Sequence, residues 1–191
     1  MSRLTSTNNS ETLDARFPDV GDHAPDASLT DSTGAKVTLS SFWSKGRIVI
    51  VFLRHFGCPF CREQVVKLRD DFALAQSSGL DIVCIGQGSY KTGKGFSIYF
   101  NLPFPVLVTE DDNSVYKRYG LLQGTPKQLF GIDVILRGLS ALRHGMGAVE
   151  GDATQMPGIF VVDTNGTVLL ARRAASQADN LSVQQILNAI K

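Results

Sequence analysis

Apolar residues run unbroken from Ile48 to Leu53 and, after a short turn, recur at Phe60, Val65, Leu68 and Phe72. The run has the length and continuity of a strand covered on both faces, and the recurrence has the spacing of a helix with one apolar side. A breaker at Ser77-Ser78-Gly79 precedes a second apolar run, Leu80 to Ile85, which predicts another buried strand. Strand, helix and strand in this order make a right-handed βαβ unit. Further on, an amphipathic stretch covers Lys94 to Phe100, and a third apolar run covers Pro105 to Val108. A helix around Asn113 to Tyr119 is expected to stop at Gly120, which suits a left-handed cap.

The flanking segments complete one domain. Before the first strand, GDHAPDASLTDSTGAKVTLSSFW alternates short β-like pieces around Asp31 to Gly34, predicting a hairpin over one edge of a sheet. A short helical turn is expected from Ser40 or Ser41. Thr125 to Met156 reads as an embellishment with a helical middle at Ile132 to Leu142 and glycines at 145, 147 and 151. Gly158 to Val162 and Thr167 to Ala171 flank Asp163-Thr164-Asn165-Gly166, a hairpin signal, and a last helix is predicted at Ser182 to Ile190. Residues 1–18 are polar and aperiodic and read as a flexible tail, leaving 19–191 as the domain. There is no internal repeat and no heptad run.

Composition narrows the class of function. With 191 residues, 43% of them hydrophobic, the chain can bury one sizeable core. The 19 Lys and Arg nearly balance 18 Asp and Glu, so no global field draws nucleic acid or an anionic membrane. No apolar run nears the roughly 20 residues of a membrane span, and the opening MSRLTSTNNSETLDARFPDV lacks the apolar core of a secretory signal. Glu11 and Asp14 argue against an organelle transit peptide, so the expected location is cytoplasmic. Three cysteines, unevenly spaced, do not make a secreted disulfide scaffold. In a reducing compartment C-x-x-C points to redox chemistry or to metal.

Cys58-Pro59-Phe60-Cys61 sits where the first strand hands over to the helix. Pro59 fits the first helical position, which leaves Cys58 near the N-cap, where unpaired N–H groups favour a thiolate. Cys58 is the first candidate for the nucleophile, and Cys61, one turn further in, can close a disulfide with it. Arg54, His55 and Arg62 flank the pair and are candidates to stabilise a thiolate. Cys84, in the apolar strand, reads as a small buried hydrophobe. A mixed sheet flanked by helices, with C-x-x-C after its central strand, is the thioredoxin-like α/β plan, here with an N-terminal hairpin and a helical insertion before the last hairpin.

The stretch Phe52-Leu53-Arg54-His55-Phe56-Gly57-Cys58-Pro59-Phe60-Cys61-Arg62-Glu63, with GDHAPDASLTDSTG, LPFPVLVTED and GDATQMPGIFVVDTNGTVLL around it, resembles the peroxiredoxin-like AhpC/TSA group, in its CxxC branch. That branch includes prostamide/prostaglandin F synthase. The resemblance implies a thiol-dependent oxidoreductase that reduces hydroperoxides and is recycled by a thioredoxin- or glutathione-type donor, with reduction of disulfides or endoperoxides as the alternative; no cofactor or metal is expected. In thioredoxin-like proteins a cis proline before a late strand lies beside the dithiol, and Met156-Pro157 holds that place here, with a trans proline at a strand start as the alternative. Counting from Phe52, the proline usual in peroxiredoxins falls at Arg54, the threonine at Cys58, the peroxidatic cysteine at Cys61, and the arginine before the late strand at Pro157. Either Cys61 attacks first, as that alignment implies, or Cys58 does, as in thioredoxin. Arg54 is the candidate to replace the missing arginine.

Three other classes compete. Gly88-Ser89-Tyr90-Lys91-Thr92-Gly93-Lys94-Gly95 nearly spells a phosphate-binding loop, but Gly95 stands where Ser or Thr is needed. The dithiol supplies two zinc ligands, yet no second pair accompanies it and His23, His55 and His144 are scattered. A redox-inactive scaffold is the third.

Overall fold

The computed structural model describes residues 16–110, 112–130, 134 and 141–191. Seven strands form one mixed sheet: β1 (Ser28–Thr30), β2 (Lys36–Thr38), β3 (Arg47–Phe52), β4 (Leu80–Gly86), β5 (Val106–Val108), β6 (Gly158–Val162) and β7 (Val168–Arg173), in the order β2-β1-β5-β4-β3-β6-β7. Helices are α1 (Ser40–Trp43), α2 (Pro59–Asp70), α3 (Phe72–Ser77), α4 (Tyr90–Tyr99), α5 (Ser114–Arg118), α6 (Pro126–Phe130) and α7 (Val183–Ala189). β3 lies parallel to β4 and antiparallel to β6.

The continuous apolar run of β3 follows from burial on both faces. Val49, Val51 and Leu53 pack with Val65 and Leu68 of α2, Phe96 of α4 and Ile186 of α7. Ile48, Ile50 and Phe52 pack on the other side with Trp43, Val115, Tyr116 and Tyr119. Successive side chains of a strand alternate faces, so both sets must be apolar.

Among the described residues the predicted elements are found, with two differences in their bounds. The helix after the dithiol is two helices, because the chain breaks at Asp71 (φ −90°, ψ 5°); Phe72 opens α3 and packs on Phe104 at 5.8 Å. The stretch expected from Lys94 starts four residues earlier, at Tyr90, where Ser89 caps the helix by accepting from Thr92 N. Gly93 inside α4 hides the helix in the sequence, yet a Cβ there would meet Val108 Cγ1 at 2.7 Å, so glycine lets the helix lie close on the sheet. The opening hairpin extends the sheet at its edge through Thr30↔Val108. Finally, every described peptide bond is trans, Met156-Pro157 included, against the cis proline implied by the resemblance. Trans is the lower-energy form of an X–Pro bond, and it leads the chain directly into β6.

Of the helical middle expected at Ile132 to Leu142, Val134 and Ala141 are helical, Leu142 opens a 3-10 turn to His144, and 132–133 and 135–140 lie outside the described residues. The expected tail lies largely outside them too. Its last residues touch the domain: Pro18 O accepts from Arg173 Nη2 at 2.6 Å, and Arg173 lies over the Phe17 ring. No helix among the described residues is long and apolar enough to cross a membrane.

Candidate active site

The β3 to α2 turn holds both thiols. Cys58 is the N-cap of α2 with extended backbone (φ −72°, ψ 122°), and Pro59 occupies the first turn. Its N–H donates to His55 O at 3.1 Å and its carbonyl accepts from Arg62 N at 3.1 Å, so the turn is closed on both sides of the cysteine. Both sulphurs are buried, Cys58 at 1% and Cys61 at 3% exposure. The three cysteines are free thiols.

Arg54 joins the two sulphurs from opposite ends of one residue. Its backbone N–H donates to Cys61 Sγ at 3.3 Å, and its Nη1 donates to Cys58 Sγ at 3.4 Å. The guanidinium, itself only 7% exposed, also donates from Nε to Gln155 O at 3.1 Å, from Nη2 to Ala153 O and from Nη1 to Gln177 Oε1. Among the described residues no carboxylate forms an ion pair with it. Asp152 feels its charge from a distance, and a thiolate at Cys58 supplies an anion in direct contact with this buried cation.

The electrostatics separate the two thiols. The Cys61 thiol donates to the Cys58 sulphur and Arg54 lies beside it; against the cost of burial, these bring Cys58 down to about 6. Cys61 goes the other way, well up, because its proton is shared with Cys58 and it is buried next to that negative charge. The two thiols are thereby pulled apart, Cys58 toward the ionised form and Cys61 toward the protonated one. Burial alone pushes Cys84 up, which keeps it a protonated core thiol.

The other sequence candidates fall into different places. His55 is buried and brought down to about 4 by burial and by Arg54, so it is neutral and adds no positive charge to the thiolate. Its Nδ1 is buried with no hydrogen-bond partner among the described residues. Arg62 touches neither sulphur: it donates to Phe56 O at 3.0 Å and His144 O at 3.2 Å and holds the turn against the insertion. Pro157 lines a cavity of about 20 Å³ beside Cys61, shared with Gln64, Gln177 and Asn180. That volume admits about one water molecule.

Within the stretch expected to be embellishment, residues 145–155 form the roof of the site. Gly147 N donates to Gly57 O at 3.4 Å, and a Cβ on Gly57 would stand 2.3 Å from Gly147 O, so the contact needs glycine. Ala153 and Gln155 give Arg54 their carbonyls. Gln87 ties roof to turn: it donates to Arg54 O, and its Oε1 accepts from Asp152 N at 2.8 Å. Glutamines 87, 155 and 177 have no signature in the sequence, since an uncharged amide far along the chain resembles any surface glutamine until the fold buries it.

The glycine-rich loop is explained in the same way. Glu150 sits at the start of α4, accepting from Ser89 N at 3.0 Å and Thr92 Oγ1 at 2.7 Å. The place a phosphate would take is filled by this carboxylate, which removes the nucleotide reading. Among the described residues no three His, Cys, Asp or Glu side chains converge as metal ligands.

A thioredoxin-type sheet with an ionised cysteine at a helix start and a thiol one turn behind defines a thiol-dependent oxidoreductase. The AhpC/TSA family profile matches residues 20–171, and the chain belongs to that family. Mouse Peroxiredoxin-like 2C is 22% identical over 173 residues, 85% of this chain and 76% of the relative. Chloroplastic Peroxiredoxin Q of Sedum lineare is 32% identical over 111 residues, so the match spans 58% of this chain and 56% of the relative. Among solved structures, Peroxidoxin BcpB from Mycobacterium tuberculosis superposes with a TM-score of 0.65 at 19% identity, covering 91% of this chain and 95% of that one. A thiol peroxidase from Chromobacterium violaceum gives 0.63 at 21% identity, covering 91% and 86%. These two likenesses show the same fold.

Proposed function

We propose that the protein reduces hydrogen peroxide or organic hydroperoxides through the Cys58–Cys61 dithiol, with Cys58 attacking first. One observation carries this order: Cys58 Sγ is the sulphur at which both a guanidinium and a neighbouring thiol are aimed. The Cys58 thiolate attacks the terminal peroxide oxygen, the O–O bond breaks, and the alkoxide or hydroxide leaves and takes a proton. Cys58 becomes a sulfenic acid, oxidised by two electrons. Cys61 then attacks it, water leaves with the hydroxyl and the Cys61 proton, and a disulfide forms. A dithiol donor of thioredoxin type, or two glutathione-type thiols, returns two electrons and two protons. Arg54 stabilises the thiolate and then the oxyanion that leaves.

Names of relatives carrying "peroxiredoxin" or "thiol peroxidase" support the peroxide substrate. Because both sulphurs are buried, the substrate enters by displacement of the roof. A cytoplasmic location fits free thiols in such a cycle, and the near-neutral charge gives no reason to expect a nucleic-acid partner.

The second reading is attack by Cys61, favoured by the cavity beside it. Peroxide consumption with thioredoxin and its reductase separates the two. Wild type should turn over, Cys61→Ser should give a single sulfenic acid at Cys58, and Cys58→Ser should be inert. A sulfenic acid at Cys61 in Cys58→Ser would reverse the order. Equal consumption by wild type and the double variant would end the peroxidase reading and leave reduction of disulfides or endoperoxides as the activity to assay.

A further inference from the structure

Gln177 lies past residue 171, where the match to the family profile stops. It is 9% exposed, in the segment between β7 and α7. Both ends of its amide are used: Nε2 donates to Leu129 O, and Oε1 accepts from Arg54 Nη1. A carbonyl only accepts and a guanidinium only donates, so the amide has one orientation here. The backbone N–H of Gln177 donates to Gln128 O at 3.3 Å, which fixes the residue to α6.

The partners of Arg54 share one property. Gln177 Oε1, Ala153 O and Gln155 O are all uncharged, and Cys58 Sγ is the remaining acceptor. Of the carboxylates nearby, Asp152 lies close enough to feel the Arg54 charge without a hydrogen bond to it, and both it and Asp179 are bonded to other partners. Asp152 accepts from Gln123 Nε2 at 2.7 Å and Thr154 Oγ1 at 2.6 Å, and Asp179 pairs with Arg172 at 2.9 Å. His55, on the same turn, is neutral, and Cys61 holds its proton. A carboxylate at position 177 would instead pair with Arg54 and compete with the sulphur for its charge.

We propose that Gln177 is a positioning residue for the dithiol: its neutral amide oxygen fixes the Arg54 guanidinium against Cys58 and leaves the guanidinium's charge to the sulphur. This rests on Cys58 being the ionised thiol, and not on which substrate it attacks.

The test is a titration of thiolate absorbance near 240 nm on the reduced full chain, with the pH dependence of peroxide consumption beside it. Gln177→Glu keeps the length and an acceptor oxygen but sets a negative charge near the Cys58 sulphur, so it tests the charge at this position, and Gln177→Met tests the anchor itself. Competition for Arg54 predicts a midpoint raised by about one unit or more. The rate profile should move up by the same amount and return to the wild-type plateau at high pH. Gln177→Met, of similar length without polar ends, should also raise the midpoint, since Arg54 loses its anchor. A wild-type midpoint in either folded variant overturns the proposal. Gln177→Glu sets an oxygen against Leu129 O, so circular dichroism checks its folding, and Gln177→Met decides if it fails. Wild type that consumes no peroxide while the midpoints move as stated would refute the peroxidase function and leave the role of Gln177 standing.

Discussion

At Cys58 the Cys61 thiol, the Arg54 guanidinium and the N–H at the helix start act together against the cost of burial and bring the thiol down to about 6. Removing the cation should undo much of this. Arg54→Met is expected to raise the Cys58 midpoint by about one to three units and so to slow peroxide attack at pH 7 by about twofold to a hundredfold. Unchanged thiolate titration and turnover would remove Arg54 from the mechanism. In wild type the attack rate should climb as pH passes about 6 and then level off. Stability follows the same sign. A thiol lowered in the folded state stabilises fully above the ordinary thiol value of ~8.5, and this contribution is lost as pH falls through the folded value. His55, lowered to about 4, adds a further loss as pH falls below its unfolded value of ~6.5. Denaturant titrations of reduced protein should show falling stability from pH 8.5 to 6, and Cys58→Ser should flatten that part of the slope.

Between elements, the decisive contact is the one where the insertion crosses the dithiol turn. Gly57 and Gly147 approach so closely that a methyl group on Gly57 meets backbone, which cannot move aside as a side chain does. Gly57→Ala should therefore lift the roof. A loss of about 1–3 kcal/mol in unfolding free energy is expected, with faster alkylation of Cys58. Wild-type stability and alkylation rate together would show that the roof does not seal the site. The far end of the roof is fastened by Glu150 at the start of α4, and Glu150→Ala should speed amide exchange in 145–153 while leaving β3 and β4 protected.

For the molecule as a whole, oxidation changes the charge balance of its interior. The disulfide form has no thiolate, so Arg54 stays buried among neutral acceptors only, and the reduced form is the better solvated of the two. Reduction should raise the melting temperature at pH 8, and the gain should shrink at pH 5, where Cys58 is largely protonated. A disulfide form that melts higher at both pH values would show that Arg54 finds another partner on oxidation.

The strand, the turn and the two thiols were readable from the chain, because continuous apolar residues, Pro59 at a helix start and C-x-x-C are local signals whose physics needs no distant partner. The family resemblance rested on the same contiguous residues. The break at Asp71 and the early start of α4 were not readable, since Gly93 makes sense only against Val108. The neutral state of His55 depends on burial, and the choice between Cys58 and Cys61 as the ionised thiol depends on a guanidinium whose direction is set by Ala153, Gln155 and Gln177, about a hundred residues downstream. Sequence alone marked the candidate atoms for the chemistry. The tertiary structure sets the neighbours of each, because charge in a buried site depends on groups that only folding brings together.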